Sequence, residues 1–498
     1  MLPFGRWAPD AYPLNSGFAG EALGVLPGLN AYHPWPQMAV SSLAMGAACR
    51  GAFTARTSTN AIAIFTGRAT KLNKFAGVAT SWTDVTRSSG GDYALATDDL
   101  WQFAQFGAYV YATQITDALQ SIDAGSGTNF AAVSGSPPKA RYIAVVGDFL
   151  MLGNTDTLSR EVRWCGRNDP ATWTKGQKGA DAQTFPDGGD VMGLTGFERG
   201  GLVFQTETVR QMLARADSVA FEFHRIEAAQ GTLAPYSIVT RRGVSHYYSV
   251  AGFQRITTDG ASEAIGANWI DDWFKETSNV STRPKAVVGA PDPASQRIFW
   301  LFAAAGNATS SIFDHMLCFD PTLIESDYGP WSHAAVSASV IFPAATTATT
   351  LENLGSAGLG YTLETVPYSL DADIWKGGAP RIGAFDSAFK LNFFTAAPMA
   401  ATLQVSPFEP IPKRRAFVQG FRLYSDAATA TGRVGGAERA AGTITWNASQ
   451  SLNDQGRIPA RFSTRVLAVE VSIPAGTDWG HAAGIDFDED DVSADGER

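Results

Sequence analysis

From Ala47 onward the chain alternates short apolar runs with turn formers, and that pattern predicts strands, not helices. Gly51–Arg56 and Ala61–Phe65 flank the polar turn Thr57–Asn60 and read as a strand pair. The clearest hairpin joins Tyr142–Val146 to Phe149–Leu152 through Gly147 and Asp148, two residues that tolerate the turn geometry between apolar strands. Further pairs are Val191–Leu194 with Leu202–Thr206, Val244–Val250 with Phe253–Thr257, and Arg297–Phe302 with His315–Phe319. Three of these units end in a turn that carries a tryptophan: Trp82, Trp173 and Trp331.

Small sheets repeated around a ring need one large side chain per unit to pack between neighbours, with Asp, Pro and Gly turning the chain. The expected fold is therefore all-β: a β-propeller of roughly six or seven blades, at about 40 to 45 residues per blade, with additions at both ends. Residues 1–45, with Pro3, Pro9, Pro13, Pro27, Pro34 and Pro36 and no sustained period, predict an extended N-terminal arm. The propeller is expected over 46–345, and a connecting layer or final blade over 346–412, where Ala, Thr and Gly dominate around a strand-like Pro380–Phe394. Ala416–Tyr424, Thr443–Trp446 and Arg465–Ile473 predict a smaller C-terminal β domain over 413–486. The acidic run at 487–498 predicts a solvated, flexible tail.

Composition narrows the function more than the fold. The 498 residues suffice for a large core, and 50 Gly and 25 Pro without a three-residue period indicate frequent turns. Cys49, Cys165 and Cys318 are odd in number and widely spaced, which argues for free thiols in a reducing compartment. The N-terminus lacks a charged leader followed by an apolar run, and no apolar stretch has membrane-spanning length. A net charge of -10, with Lys413, Arg414 and Arg415 as the one basic block, predicts no tight electrostatic grip on nucleic acid. An acidic surface is compatible with a passage that DNA traverses without sticking.

Candidate chemistry is sparse. The six histidines, His33, His224, His246, His315, His333 and His481, form no zinc motif, and no phosphate-binding glycine loop is present; Gly355–Gly360 reads as a flexible Gly/Ala loop. Ser245 and His246 are adjacent in a predicted strand, point to opposite faces and cannot act as nucleophile and base. Asp488, Glu489, Asp490 and Asp491 lack the EF-hand pattern and read as solvated tail. A glycosidase would need two carboxylates about 5 Å or 6.5 to 9.5 Å apart; Asp98, Asp99, Asp190, Glu263, Asp271 and Asp272 are the candidates, and turn caps are their alternative use. Trp101, Phe103, Phe106, Trp269, Trp273 and Phe274 are either carbohydrate platforms or packing between sheets, the commoner use of such side chains. No catalytic, cofactor-binding or metal-binding residue is assigned.

Trp101-Gln-Phe-Ala-Gln-Phe-Gly107, Pro138-Lys-Ala-Arg-Tyr-Ile-Ala-Val-Val-Gly-Asp-Phe149 and Val162-Arg-Trp-Cys-Gly-Arg-Asn-Asp-Pro-Ala-Thr-Trp173 resemble the tail nozzle and head-to-tail connector proteins of short-tailed bacteriophages. Gly201–Thr206, Arg457–Arg461, Ile473–Gly476 and Trp479–Asp486 extend the resemblance over most of 46–486, with Cys165 standing where a small polar residue such as Ser is expected. The resemblance implies a virion protein without enzymatic activity or cofactor, which folds and assembles in the host cytoplasm and resides in the virion tail. It implies a ring, commonly a hexamer, below the portal and adaptor, whose outer face receives fibres or spikes. Double-stranded DNA would be retained and then conducted through its lumen without sequence-specific binding. The alternative expectation is a tail-associated glycan-binding or glycan-cleaving propeller, and a third is a cellular propeller scaffold.

Overall fold

The computed structural model describes all residues except 76–80, 216–219, 227, 308–310, 347–361, 363, 367–368, 370–377, 440–441 and 496–498. Among the described residues, five four-stranded antiparallel sheets and a sixth four-strand run within a larger sheet follow one another, each built by strands adjacent in sequence. Sheet 1 comprises Ala52–Arg56, Ile62–Gly67, Leu72–Phe75 and Thr83–Asp84. Sheet 2 comprises Gln102–Phe106, Tyr109–Gln114, Asp117–Asp123 and Ala131–Ala132; sheet 3, Ala140–Val146, Phe149–Thr155, Glu161–Trp164 and Asp181–Thr184. Sheet 4 comprises Val191–Phe197, Gly200–Gln205, Val209–Ala214 and Phe221–Ile226; sheet 5, Val239–Arg241, Val244–Ser249, Gly252–Thr257 and Ser262–Ala264. Sheet 6 starts with Val287–Pro291, Ile298–Phe302, Phe313–Phe319 and the 15-residue Trp331–Ala345.

The hairpins lie where the alternation of runs and turns puts them. Val146 pairs with Phe149 across the two-residue turn, and Gly147 there takes φ 53°, a conformation that costs glycine little. First strands of sheets 1 to 4 pack against one another in turn, and that of sheet 5 against that of sheet 6. Trp331–Ala345 then packs against the first strands of both sheet 6 and sheet 1, so the succession returns to its start. Thr54 Oγ1 donates to Pro343 O at 3.1 Å across that closure. The result is an all-β, broadly propeller-like body of repeated four-stranded sheets.

The closure uses both ends of the chain. Trp331–Ala345 pairs with Phe313–Phe319 as far as Ala338, and from Ala338 onward with Pro380–Asp386 on its other edge. Pro380–Asp386 pairs with Leu391–Pro398, which pairs with Pro36–Val40. One four-strand layer is thus assembled from residues 36–40, 338–345, 380–386 and 391–398.

The predicted arm is corrected by this pairing. Leu2–Pro3, Ala19–Leu23, Val25–Pro27, Tyr32–Pro34 and Pro36–Val40 are all strands within sheets, and Phe4, Trp7, Tyr32 and Trp35 are buried. Strands of two to five residues are too short to show a period, and their proline content suits sheet edges. The Ala/Thr/Gly-rich stretch, including Gly355–Gly360, falls largely outside the described residues.

The C-terminal strands form a two-layer sandwich. One layer continues the sheet of Trp331–Ala345 through Ala19–Leu23, which pairs in parallel at Leu23 and His333, to Ala401–Phe408, Val466–Ile473 and Thr431–Ala437. The other layer orders Val25–Pro27, Tyr32–Pro34, Ala482–Asp486, Ala416–Ser425 and Arg457–Thr464. Val418, Phe421, Ile458, Val434, Val469, Val471 and Ile485 fill the space between them. The predicted flexible tail is likewise corrected: Val492–Ala494 pairs with Ala416–Val418, and the Asp491 side chain is only 3% exposed, held by Arg457.

Candidate functional site

The tryptophan turns are packing devices. Trp82 lies between Phe75 of sheet 1 and Phe385 of the closing layer, with ring centroids 5.1 and 5.5 Å away. Trp173 is buried with Ala104, Tyr111 and Leu119 of sheet 2 and Leu150 and Leu152 of sheet 3. Trp331 packs on Phe253 of sheet 5 and on Trp300 and Phe319 of sheet 6. The Cys165 Sγ accepts from Leu150 N and donates to Gly166 O, both at 3.1 Å. Burial pushes its thiol up to about 11 and raises Cys49 and Cys318 further, which keeps all three unreactive.

Of the proposed aromatic platforms, Trp101 and Phe274 are buried and Phe103, Phe106, Trp269 and Trp273 are half-buried. Trp101 is buried, donates to Arg68 O at 2.9 Å and meets Tyr93 edge to face. Phe103 stacks on Phe53. Trp273 contacts Trp7 at 4.8 Å, Phe274 is buried against Phe253 and Phe302, and Trp269 lies under the Arg6 guanidinium at 4.7 Å.

Segments leading into the first strands of several sheets bring charge together. Asp98, ahead of sheet 2, accepts from Arg283 Nη2 at 2.7 Å, ahead of sheet 6. The Asp99 carboxylate, 5% exposed, is shared by Arg141 of sheet 3 and Lys285. Leu100 N donates to Tyr236 Oη, ahead of sheet 5, at 2.9 Å. Burial, reinforced by Asp99, raises the Tyr236 phenol, and burial lowers Arg50 against the pull of Asp98 and Asp99. Here two aspartates tie sheets 2, 3 and 6 together; their charges are consumed by partners, which is a structural use.

The remaining carboxylate candidates are dispersed. Asp190 accepts from Ser159, and Glu263 pairs with Arg255 at 2.7 Å. Asp271 opens the helix Asp271–Thr277 and accepts from Phe253 N at 2.9 Å. Gly252 and Gly266 leave room for that carboxylate, since a Cβ at either would stand 2.1 Å from an Asp271 oxygen. Asp10 caps the same helix, accepting from Asp272 N at 2.8 Å and Trp273 N at 2.7 Å, in place of Ile270, which has no side-chain acceptor. Burial, then the negative charges of Asp10 and Asp272, pushes Asp271 up to about 6. The neighbouring cavity, lined by Arg6, Glu263, Ile265 and Trp269, holds about 120 Å³, below the several hundred of a usual ligand site.

Ser245 and His246 are no catalytic pair. Ser245 Oγ meets Thr240 Oγ1 at 2.8 Å, while the His246 ring is buried with neither nitrogen hydrogen-bonded, so desolvation lowers it to about 3. His333 Nε2 lies 2.5 Å from Glu21 Oε1, and its ring stacks on Trp7. A wider groove, about 620 Å³, lies along the turns of sheets 3 and 4 with Asp148, Arg167, Glu198, Arg199 and Arg215 on its walls. It carries charges of both signs, including the 3.3 Å Arg167–Asp148 pair.

Pairings missed in the sequence concern the acidic C-terminus. Arg422 Nε meets both Asp488 oxygens at 2.9 Å, Arg457 binds Asp491, and Arg415 lies 3.6 Å from Asp495. These partners are 34 residues or more apart, so no local spacing signals them. Among the described residues, no group of three or more His, Cys, Asp or Glu is placed to hold a metal ion, and no helix is long and apolar enough to cross a membrane.

Repeated four-stranded sheets closed on themselves define a propeller-like all-β protein, without a converging set of reactive groups among the described residues. No family model matches the chain, and no curated protein matches it either. Solved structures similar to it include the extracellular domain of BT4673 from B. thetaiotaomicron, at 9% identity and TM-score 0.42 over 78% of this chain and 44% of that one. The chain thus spans less than half of that protein. U3-55K is similar at 10% identity and TM-score 0.39, over 62% of this chain and 89% of that one. The Neurospora crassa Pan2 WD40 domain is similar at 8% identity and TM-score 0.39, over 74% and 96%.

Proposed function

We propose that the chain is a structural subunit of a phage tail nozzle, one copy of a ring that retains packaged DNA and conducts it on ejection. The observation that carries this reading is the single strand Trp331–Ala345, which belongs at once to sheet 6, the closing layer and the sandwich. A part that bears the pressure of packaged DNA needs wall elements that do not hinge on one another, and a shared hydrogen-bonded strand provides that. The resemblance in the sequence supplies the tail context. Ion pairs among segments preceding sheets 2 and 6 and strand residues of sheet 3 occupy the approach to the chain's own ring of first strands, so the DNA passage in this reading is a lumen formed between copies. Fibres or spikes and the adaptor would bind outside it.

The glycan-cleaving alternative receives less support, because Asp98, Asp99, Asp190 and Glu263 are each engaged with a separate partner. Electron microscopy of the purified protein and antibody labelling of virions test the proposal together. Rings with a mass about six times 52.9 kDa, and label at the tail, are expected. A monodisperse monomer absent from virions overturns it.

A further inference from the structure

The outer face of the sandwich layer Ala416–Ser425/Arg457–Thr464 carries arginines in a chain whose net charge is -10. Arg422 and Arg457 are cross-strand partners on it, and Arg457 spreads over Gly420, where a Cβ would stand 2.6 Å from the guanidinium. Arg461 follows Arg457 on the same face, about 13 Å along the strand, and Arg465 stands just past its end. Both are exposed, and neither has an ion-pair partner among the described residues. Between Arg461 and the pair Asn447 and Gln450 opens a polar groove of about 470 Å³, also bordered by Gln419 and Arg457.

The C-terminal segment runs along the edge of Ala416–Ser425 opposite Arg457–Thr464 and turns its carboxylates onto the arginines of this face. Asp488 takes Arg422 at 2.9 Å, Asp491 takes Arg457, and Asp495 takes Arg415 and Ser463 Oγ. Gln419 N fixes the segment by donating to Asp491 O at 2.8 Å, and Val492–Ala494 holds it as a strand. Upstream, Asp486 pairs with the N-terminal amine at 2.9 Å. Carboxylates at 488 and 491 therefore occupy the cross-strand pair Arg422 and Arg457, the carboxylate at 495 shares Arg415 with Glu438 at 3.3 Å, and Glu489 and Asp490 add charge beside them.

We infer that this arginine face is a surface for the phosphate backbone of double-stranded nucleic acid, kept closed by the acidic C-terminal segment acting as a built-in competitor. Guanidiniums on one flat sheet face about 13 Å apart span several phosphates of a duplex, and Arg461 and Arg465 are the part left open for first contact. The inference stands on these ion pairs and does not require the ring.

The test compares the full chain, a chain ending at Phe487, and a full-length variant carrying Asp488→Asn, Glu489→Gln, Asp490→Asn and Asp495→Asn, which keeps buried Asp491 and the strand. Each is titrated against a fluorescein-labelled 30-base-pair duplex by anisotropy at 50 and 200 mM NaCl, with circular dichroism checking the fold. The expected result is at least about tenfold tighter binding for the neutralised variant than for the full chain at 50 mM. Four phosphate contacts predict a loss of about a hundredfold by 200 mM. Adding Arg461→Ala and Arg465→Ala should reverse the gain. The shortened chain, where folded, should bind as tightly or more so. Equal affinity of the folded neutralised variant and the full chain overturns the inference, as does a gain that survives loss of Arg461 and Arg465. Preference for poly-glutamate over the duplex also overturns it, in favour of an acidic protein partner.

Discussion

Half-buried Asp271 and buried His246 depart from their ordinary ionisation in ways that leave opposite marks on stability. Asp271 titrates at about 6 in the folded protein against 3.8 as its ordinary value. Its contribution is fully present below 3.8 and is lost as pH rises through 6, because ionisation in a desolvated site is penalised. Asp271→Asn removes that penalty. The variant's advantage over the native chain in urea denaturation should shrink by about 1 kcal/mol between pH 7.5 and pH 5. His246 titrates at about 3 against 6.5, so its contribution is present above 6.5 and is lost as pH falls toward 3. His246→Leu should therefore gain on the native chain by about 2 kcal/mol between pH 7.5 and pH 5, measured the same way. Neither environment was legible in the sequence. Ser245-His246 suggested only a strand, and Asp271 became special because residues 253, 10 and 272 meet around it.

At the scale of elements, the charged segment before sheet 2 carries more of the architecture than its turn-like sequence suggests. The Asp99 carboxylate is buried between cations from sheet 3 and the approach to sheet 6, and removing one member of a buried ion set strands the others. Asp99→Ala is expected to cost about 3 kcal/mol, read as a lower urea midpoint. Asp190→Ala, at an exposed serine contact, should shift it by less than about 0.5 kcal/mol. The individual hairpins needed no such long-range help. Val146, Gly147, Asp148 and Phe149 specify their own turn, and the structure pairs them as the pattern predicts. The helix Asp271–Thr277 is the contrary case: its cap comes from Asp10, 262 residues away, and nothing near Ile270 announces it.

For the whole molecule, closure is the decisive feature, and it depends on residues that read as an appendage. Pro36–Val40 supplies the outer strand of the closing layer, while Ala19–Leu23 links Trp331–Ala345 to the sandwich. A chain starting at Ser41 should therefore lose cooperative unfolding and aggregate, with broadened thermal transitions by calorimetry and exposed apolar surface by dye binding. Retention of the native transition would count against this account of the closure. The sequence by itself determined the hairpins and their turns between Gly51 and Phe319, because those features are set by neighbours within a few dozen residues. Tertiary structure alone decided which rings the tryptophans meet, that the proline-rich start is woven into two sheets and that the acidic end pairs along a sheet edge with its carboxylates on arginines. It likewise decided that Asp98 and Asp99 are spent on cations of other sheets, that Asp190 and Glu263 have partners of their own, and that Asp271 lies beside Asp10 and Asp272. Each depends on pairings between residues tens to hundreds of positions apart, where one chain's pattern of apolar, polar and charged side chains permits many partners and only the closed fold selects among them.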